Sequence, residues 1–268
     1  MNHQIIVRRT SEENNHYLNL QQEYEQSIKP LPITVGILSW ASHSTLRNTL
    51  QSYKDNGLFE SVQEVIIFFQ EVSETDLAIA EEFGITNIIS SETNIGIGPA
   101  IVSLVEQARC KYCLFLENDW ILERNPKLIL KDCVDVLDKG LFDFIRLRST
   151  ENPGDPLYTR QFEGRELGCP QHLLDAQHWL GYSLAWKYPE IVSLHVAKFS
   201  SFVYTNSFYG SHTNNPAIFP KEFYLKHVAP FSGSGVELEG LVIDYWRSAN
   251  FKVAHNIPGL FTHKRLDR

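Results

Sequence analysis

The chain has 268 residues, of which 43% are hydrophobic, 12% aromatic and 21% charged, and its formal net charge is −8. This is an ordinary globular composition, with ample chain to bury a core as one large domain or two modest ones. The negative charge argues against a general nucleic-acid binder or a protein that seeks anionic membranes. No apolar run approaches the roughly 18 residues of a membrane span. The opening MNHQIIVRRTSEENN lacks the apolar core of a signal peptide, and no Asn-x-Ser/Thr acceptor occurs, so a cytoplasmic location is expected. Cys110-Lys111-Tyr112-Cys113 is a C-x-x-C, but Cys133 and Cys169 stand apart and offer no second pair for a structural zinc. The motif leads into a strand rather than opening a helix, unlike a thioredoxin-type redox pair. Unpaired thiols in a reducing compartment are the expectation.

Residues 1–30 are polar and end at Lys29-Pro30-Leu31-Pro32, which reads as an arm or one surface helix closed by a proline-marked linker. Ile33 to Leu38 is the first strand, with Ser39-Trp40-Ala41-Ser42-His43 as a loop after it. Ser44 then caps a helix in which Leu46, Leu50 and Tyr53 recur, with Gly57 beyond its end. Val65 to Phe69 is a second strand, ending at Gln70-Glu71. Ser73 and Asp76 form a capping box before a helix that Gly84 stops. Thr86 to Ile89 is a short third strand, and a helix runs from near Pro99 to Ala108. Cys113 to Leu116 is a fourth, buried strand running into Glu117-Asn118-Asp119. Asn125-Pro126 opens another helix, stopped by Gly140, and Phe142 to Leu147 is a strand.

Strand–helix alternation with short loops predicts β-α-β units and a mostly parallel α/β sheet. Right-handed crossovers then place the ends of successive strands along one edge. Ser39-Trp40, Gln70-Glu71 and Glu117-Asn118-Asp119 should therefore meet at one crevice, where such sheets bind ligands. Glu117 and Asp119 are two apart and share a face on an ideal strand. Two hard carboxylates on one face suit Mg²⁺ or Mn²⁺ holding a diphosphate, although E-x-D alone also suits a solvated turn. From 149 to 232 the alternation stops, and strands and loops built onto the sheet are expected. Val236 to Ala249 reads as a helix carrying Glu237, Glu239 and Asp244, followed by a strand near Lys252-Val253-Ala254.

The order of these motifs resembles the GT-A-fold, family-2-type nucleotide-sugar glycosyltransferases. The resemblance rests on Thr45-Leu46-Arg47-Asn48-Thr49-Leu50-Gln51-Ser52-Tyr53, then Asn94-Ile95-Gly96 before a helix, then Glu117-Asn118-Asp119 in the place of a D-x-D metal motif. Asn214 to Phe223 and the Leu238-Glu239 helix continue it, so that it spans roughly residues 33 to 263. Three departures stand out: Gln70-Glu71 where the family often has Asp, Glu117 at the first metal position, and Leu238-Glu239 in place of a Glu-Asp pair. The resemblance implies a GT-A-like (Rossmann-like) sheet flanked by helices, with residues 31–148 as the nucleotide-sugar-binding half and residues 149–268 as an acceptor-binding half. It implies transfer of a sugar, with inversion, from a nucleoside-diphosphate sugar (UDP-linked is expected) to a hydroxyl acceptor such as a glycan. Mn²⁺ or Mg²⁺ is the expected cofactor.

Such a transfer needs diphosphate charge neutralised, a carboxylate base at the acceptor hydroxyl, and both reactants held in line. Asp119 is the first choice for metal ligand, Glu117 acts directly or through water, and the resemblance makes His263 a third candidate. Glu239 is the proposed base, with Glu237 as the alternative; Asp244 is left structural. Ser39, Trp40 and Glu71 are the base and ribose contacts, Asn94 and Gly96 shape the loop that approaches the nucleotide, and Asn118 is placed among the donor contacts while pointing away from the metal. Trp179, Gly181, Tyr182 and Trp186 are candidates for stacking on a sugar or for core packing. Lys264 and Arg265 read more naturally as a solvated basic tail than as diphosphate contacts. A sugar nucleotidyltransferase is the rival enzyme, disfavoured because Ser39 to His43 contains no glycine. A non-catalytic nucleotide- or carbohydrate-binding module is the rival of another class.

Overall fold

The computed structural model describes residues 11–154, 182–233 and 238–266. Glu237, Trp179, Gly181 and Cys169 lie outside these residues, as does the side chain of Tyr182. The N-terminal half alternates as expected: α1 (Ser11–Ser27), β1 (Leu31–Trp40), α2 (His43–Asp55), α3 (Leu58–Ser61), β2 (Val62–Gln70), α4 (Glu74–Glu82), β3 (Asn87–Ser91), α5 (Ile97–Gln107), β4 (Tyr112–Glu117), β5 (Trp120–Leu122), α6 (Lys127–Asp138) and β6 (Phe144–Arg146). After it come α7 (Tyr182–Lys187), β7 (Ser193–Val196), β8 (Ser201–Asn206), β9 (Ala217–Pro220), α8 (Lys221–His227), α9 (Leu238–Ala249), β10 (Lys252–Ile257) and β11 (Phe261–His263).

Local chemistry accounts for several boundaries. The Ser73 hydroxyl accepts from the Asp76 N–H while the Asp76 carboxylate accepts from the Ser73 N–H, which satisfies two orphan donors at the start of α4. Gly57, Gly84 and Gly140 all have positive φ just beyond helices, at +74°, +69° and +63°. Two expectations shift. The α2 helix begins at His43 after Ser42, not at Ser44. Strand β1 continues through Ser39 and Trp40, because β2 pairs with it as far as Gln70.

Among the described residues, a nine-stranded sheet has the order β3-β2-β1-β4-β9-β6-β10-β8-β7. Its pairings make seven strands run one way, with β8 and β9 opposed. Both faces are covered. Ile33, Val35 and Ile37 of β1 pack on one side with Leu46, Leu50 and Leu130 of α2 and α6. On the other, Leu38 joins Ile101 and Leu104 of α5 and Val242 and Trp246 of α9. α5 packs over Gly36, where an added Cβ would meet Leu104 at 3.4 Å, an ordinary contact distance. β9 fills the gap between β4 and β6, with Ile218 facing Leu114 on one side and Ile145 on the other. A second, two-stranded sheet pairs β11 with β5 and sets His263 opposite Trp120. No helix among the described residues is long and apolar enough to cross a membrane.

Candidate active site

A cavity of about 460 Å³ opens at the C-terminal ends of β1, β2 and β4, lined by Leu38, Trp40, Gln70, Asn94, Gly96, Ile97, Glu117, Asn118, Asp119 and Arg265. This is the crevice that right-handed crossovers predict. Three β-α-β units bring Trp40, Gln70 and Glu117 together because β1 pairs in parallel with both β2 and β4.

Trp40 stands at the rim, 45% exposed, and its indole N–H donates to the Glu71 carboxylate at 2.7 Å. Glu71 itself does not line the cavity; it fixes the indole's orientation and leaves the ring face open. The backbone bends sharply at both strand ends, where Ala41 and Glu71 adopt φ of +46° and +52°. Such conformations cost energy for residues other than glycine and cluster at functional sites. Ser39 is buried and serves as the hydroxyl that receives the Asn118 side-chain amide at 3.2 Å. Asn118 thus lines the pocket but spends its side chain on the strand beside it, while its carbonyl accepts from Thr49 Oγ1. Asn94 Oδ1 accepts from the Gly96 N–H at 2.8 Å, and Gly96 has φ +88°, a conformation open to glycine. The turn ends at the N-terminus of α5, whose first residue also lines the cavity.

Gln70, expected at the crevice together with Glu71 but given no role of its own, is the member of that pair that lines the cavity. It is 5% exposed, and its Oε1 accepts from the Ile95 N–H at 2.7 Å. A backbone donor must meet the oxygen, so the amide orientation is fixed and its NH₂ donors remain for the cavity. The only advance signal was its place at the last buried position of β2.

The acid triplet carries the charge. Asp119 is 7% exposed; its Oδ2 lies 3.1 Å from His263 Nε2, and its Oδ1 is buried with no hydrogen-bond partner among the described residues. His263 is held edge-on against Trp120, at 4.9 Å between ring centroids, and by the β11–β5 pairing. It is therefore held against Asp119 rather than sitting on an exposed tail, although it does not line the cavity. Glu117 faces the same cavity; burial, then the charges of Asp119 and Glu239, push its carboxyl up to about 8, against the opposing pull of Arg265. Glu239, in the first turn of α9, is near enough to Glu117 for its charge to contribute to that shift, but it does not line the cavity. Its Oε1 accepts from the Asn214 N–H at 2.6 Å. Asp244 is exposed, and Trp186 is 83% exposed without lining the cavity.

Carboxylates and an imidazole are donor types suited to Mn²⁺, and the Asp119 Oδ1, with no hydrogen-bond partner among the described residues, is an acceptor open to a cation. Among the described residues, no group of three such side chains is gathered as a ready metal site. Remaining ligands would come from phosphate oxygens and water, as Mg²⁺ ordinarily requires. Cys110, Cys113 and Cys133 are free thiols away from this cavity.

No family model and no curated protein matches the sequence. Solved structures do match. The S. aureus TarS structure superposes with a TM-score of 0.55 at 12% identity, covering 88% of this chain and 37% of that one. TarS 1-349 in complex with UDP gives 0.54 at 13% identity, over 88% and 60%. Glucosyl-3-phosphoglycerate synthase from Mycobacterium tuberculosis, in complex with Mn²⁺, UDP-glucose and phosphoglyceric acid, gives 0.51 at 16% identity, over 91% and 75%. The chain thus spans well under half of the full TarS chain. These matches show the fold, which is the GT-A-type α/β arrangement that the sequence resemblance implies.

Proposed function

We propose that the chain is a metal-dependent glycosyltransferase that moves a sugar from a nucleoside-diphosphate sugar, UDP-linked, to a hydroxyl acceptor such as a glycan. The observation that carries this reading is the convergence of Trp40, Asn94, Gly96, Glu117 and Asp119 on one cavity, with His263 against Asp119 and Glu239 near enough to Glu117 to act on its charge. Trp40 offers a ring face on which a base stacks, with Glu71 holding the indole still. Gln70 presents amide donors to a carbonyl-bearing base edge. The α5 N-terminus faces the phosphates, where first-turn N–H groups favour an anion.

Asp119, Glu117 and His263 would hold the divalent ion. When bound, it neutralises charge on the departing diphosphate. Glu239 takes the proton of the acceptor hydroxyl, whose oxygen then attacks the anomeric carbon. The bond from that carbon to the diphosphate oxygen breaks with its electron pair leaving on the nucleotide, so the anomeric centre inverts. The Asn214 N–H steadies one Glu239 oxygen and helps to hold the carboxylate in place.

The test is a panel of nucleotide sugars with and without Mn²⁺, read by thermal shift and by release of nucleoside diphosphate. A metal-dependent shift and turnover with a UDP-sugar are expected. Asp119→Ala is expected to lower turnover about 10³-fold, on the scale of losing a main electrostatic stabiliser, with the melting temperature nearly unchanged. A wild type that neither binds nor hydrolyses any nucleotide sugar sinks the reading.

A further inference from the structure

We infer that Arg265 is a second, protein-borne cation for the diphosphate, acting beside the metal and able to bind the nucleotide without it. The inference rests on the nucleotide reading above and goes beyond the metal site. Arg265 is the single Lys or Arg among the described residues lining the cavity. The remaining ionisable lining groups are Glu117 and Asp119, both acids. A cavity walled by carboxylates repels a diphosphate unless cations compensate, and one metal ion that must also satisfy two carboxylates leaves little positive charge over.

The position of Arg265 is built by its flanks. On its N-terminal side the Lys264 N–H donates to the Asp119 carbonyl at 2.7 Å, and His263 Nε2 meets Asp119 Oδ2. On its C-terminal side the Leu266 N–H donates to Thr45 Oγ1 at 3.0 Å. The chain is thus stitched across the strand ends on both sides of this residue, with the arginine side chain turned to the cavity. The guanidinium is lightly held, by a long 3.5 Å contact from Nη2 to Ser42 Oγ. A planar fork of donors, exposed and with no bidentate carboxylate among the described residues, is suited to two phosphate oxygens at once. The competing role is structural, in which Arg265 merely offsets the charge of Glu117.

Calorimetric titration of the full chain with uridine, UMP, UDP and inorganic pyrophosphate, each with Mn²⁺ and with EDTA, separates the two. Arg265→Ala is expected to weaken UDP binding about 10- to 100-fold, the range of lost charge-assisted hydrogen bonds. Uridine should stay within about twofold on the same basis. Arg265→Lys should recover part of the loss, and the Arg265→Ala defect should be largest in EDTA. Unchanged UDP affinity in Arg265→Ala overturns the proposal. So does an equal proportional loss of uridine and UDP, or a matching fall in melting temperature in both variants, since each marks a structural role. Arg265-dependent pyrophosphate binding without any nucleotide binding keeps the anion site and removes the nucleotide reading. A wild type that binds none of the four removes both.

Discussion

Residues 31–148 and residues 182–266 reach the same cavity by different means. In the first region the site residues are strand ends. Parallel pairing of β1 with β2 and β4 sets Trp40, Gln70 and Glu117 side by side, and the helices between them fix the spacing. In the second region each contribution depends on a long-range docking event. His263 arrives because β11 pairs with β5, and Glu239 because Leu238, Val242 and Trp246 anchor α9 in the core. The wall of the cavity is thus tied to a repeating local pattern, whereas the residues proposed to complete the chemistry depend on individual tertiary contacts.

The strongest way to break this comparison is at Glu239. Glu239→Gln is expected to cut turnover by about 10²- to 10⁴-fold, the usual range for a general base, while donor affinity is preserved. Full turnover in the variant would move the base elsewhere, with Glu237 next in line. A subtler probe is Gly154, with φ +74°, where a Cβ would fall 2.0 Å from the His263 carbonyl oxygen. Gly154→Ala is expected to cost a few kcal/mol of stability. Mn²⁺ affinity should fall about 10-fold through a displaced ligand, and uridine binding should hold. If uridine and Mn²⁺ weaken together in titrations at a temperature where the variant is folded, the two regions are not separable.

The smallest effects are in pH dependence, where the regions have opposite signs. In the second region, burial pushes His212 and His255 down to about 3 from an ordinary 6.5. Their unfolded forms bind protons that the folded forms refuse, so stability present above pH 6.5 is lost as pH falls towards 3. In the first region, burial pushes Glu117 up to about 8 from 4.5, so the folded form holds a proton that the unfolded form has released. Metal-free stability then declines as pH rises from 4.5 towards 8. His212 sits among the rings of Phe144 and Trp246 at 5.5 and 5.1 Å, so His212→Phe should fold and flatten the acid limb of a melting-temperature profile. Glu117→Gln should flatten the other limb. Profiles that keep their slopes in both variants would assign the pH dependence to other groups.

Sequence patterning exposed the first region well because its signals are local. The Ser73–Asp76 box, the glycine stops and the buried strand running into Glu117-Asn118-Asp119 each depend on a few adjacent residues. The second region had no such signals. Ala217 to Pro220 is a short run flanked by prolines, and its status as a strand comes from being hydrogen-bonded on both sides. His263 was reached through family resemblance, since no spacing ties it to Asp119. Arg265 looked like a solvated tail because the Lys264 and Leu266 tethers are backbone contacts that side-chain patterns do not encode. Gln70 is buried at the end of a continuous apolar run covered on both faces, so no alternation in β2 marks which way its amide turns.

The insertion of β9 between β4 and β6 bears on how the molecule is made. As the chain grows from its N-terminus, β1 to β4 can pair early, but β4 keeps a bare hydrophobic edge until residues 217–220 are available. An unpaired edge of this kind invites intermolecular pairing, so the interval before β9 docks is the hazardous one. Asp119 waits longer still, for His263. The β4 edge is therefore open before the Asp119–His263 corner of the cavity is complete.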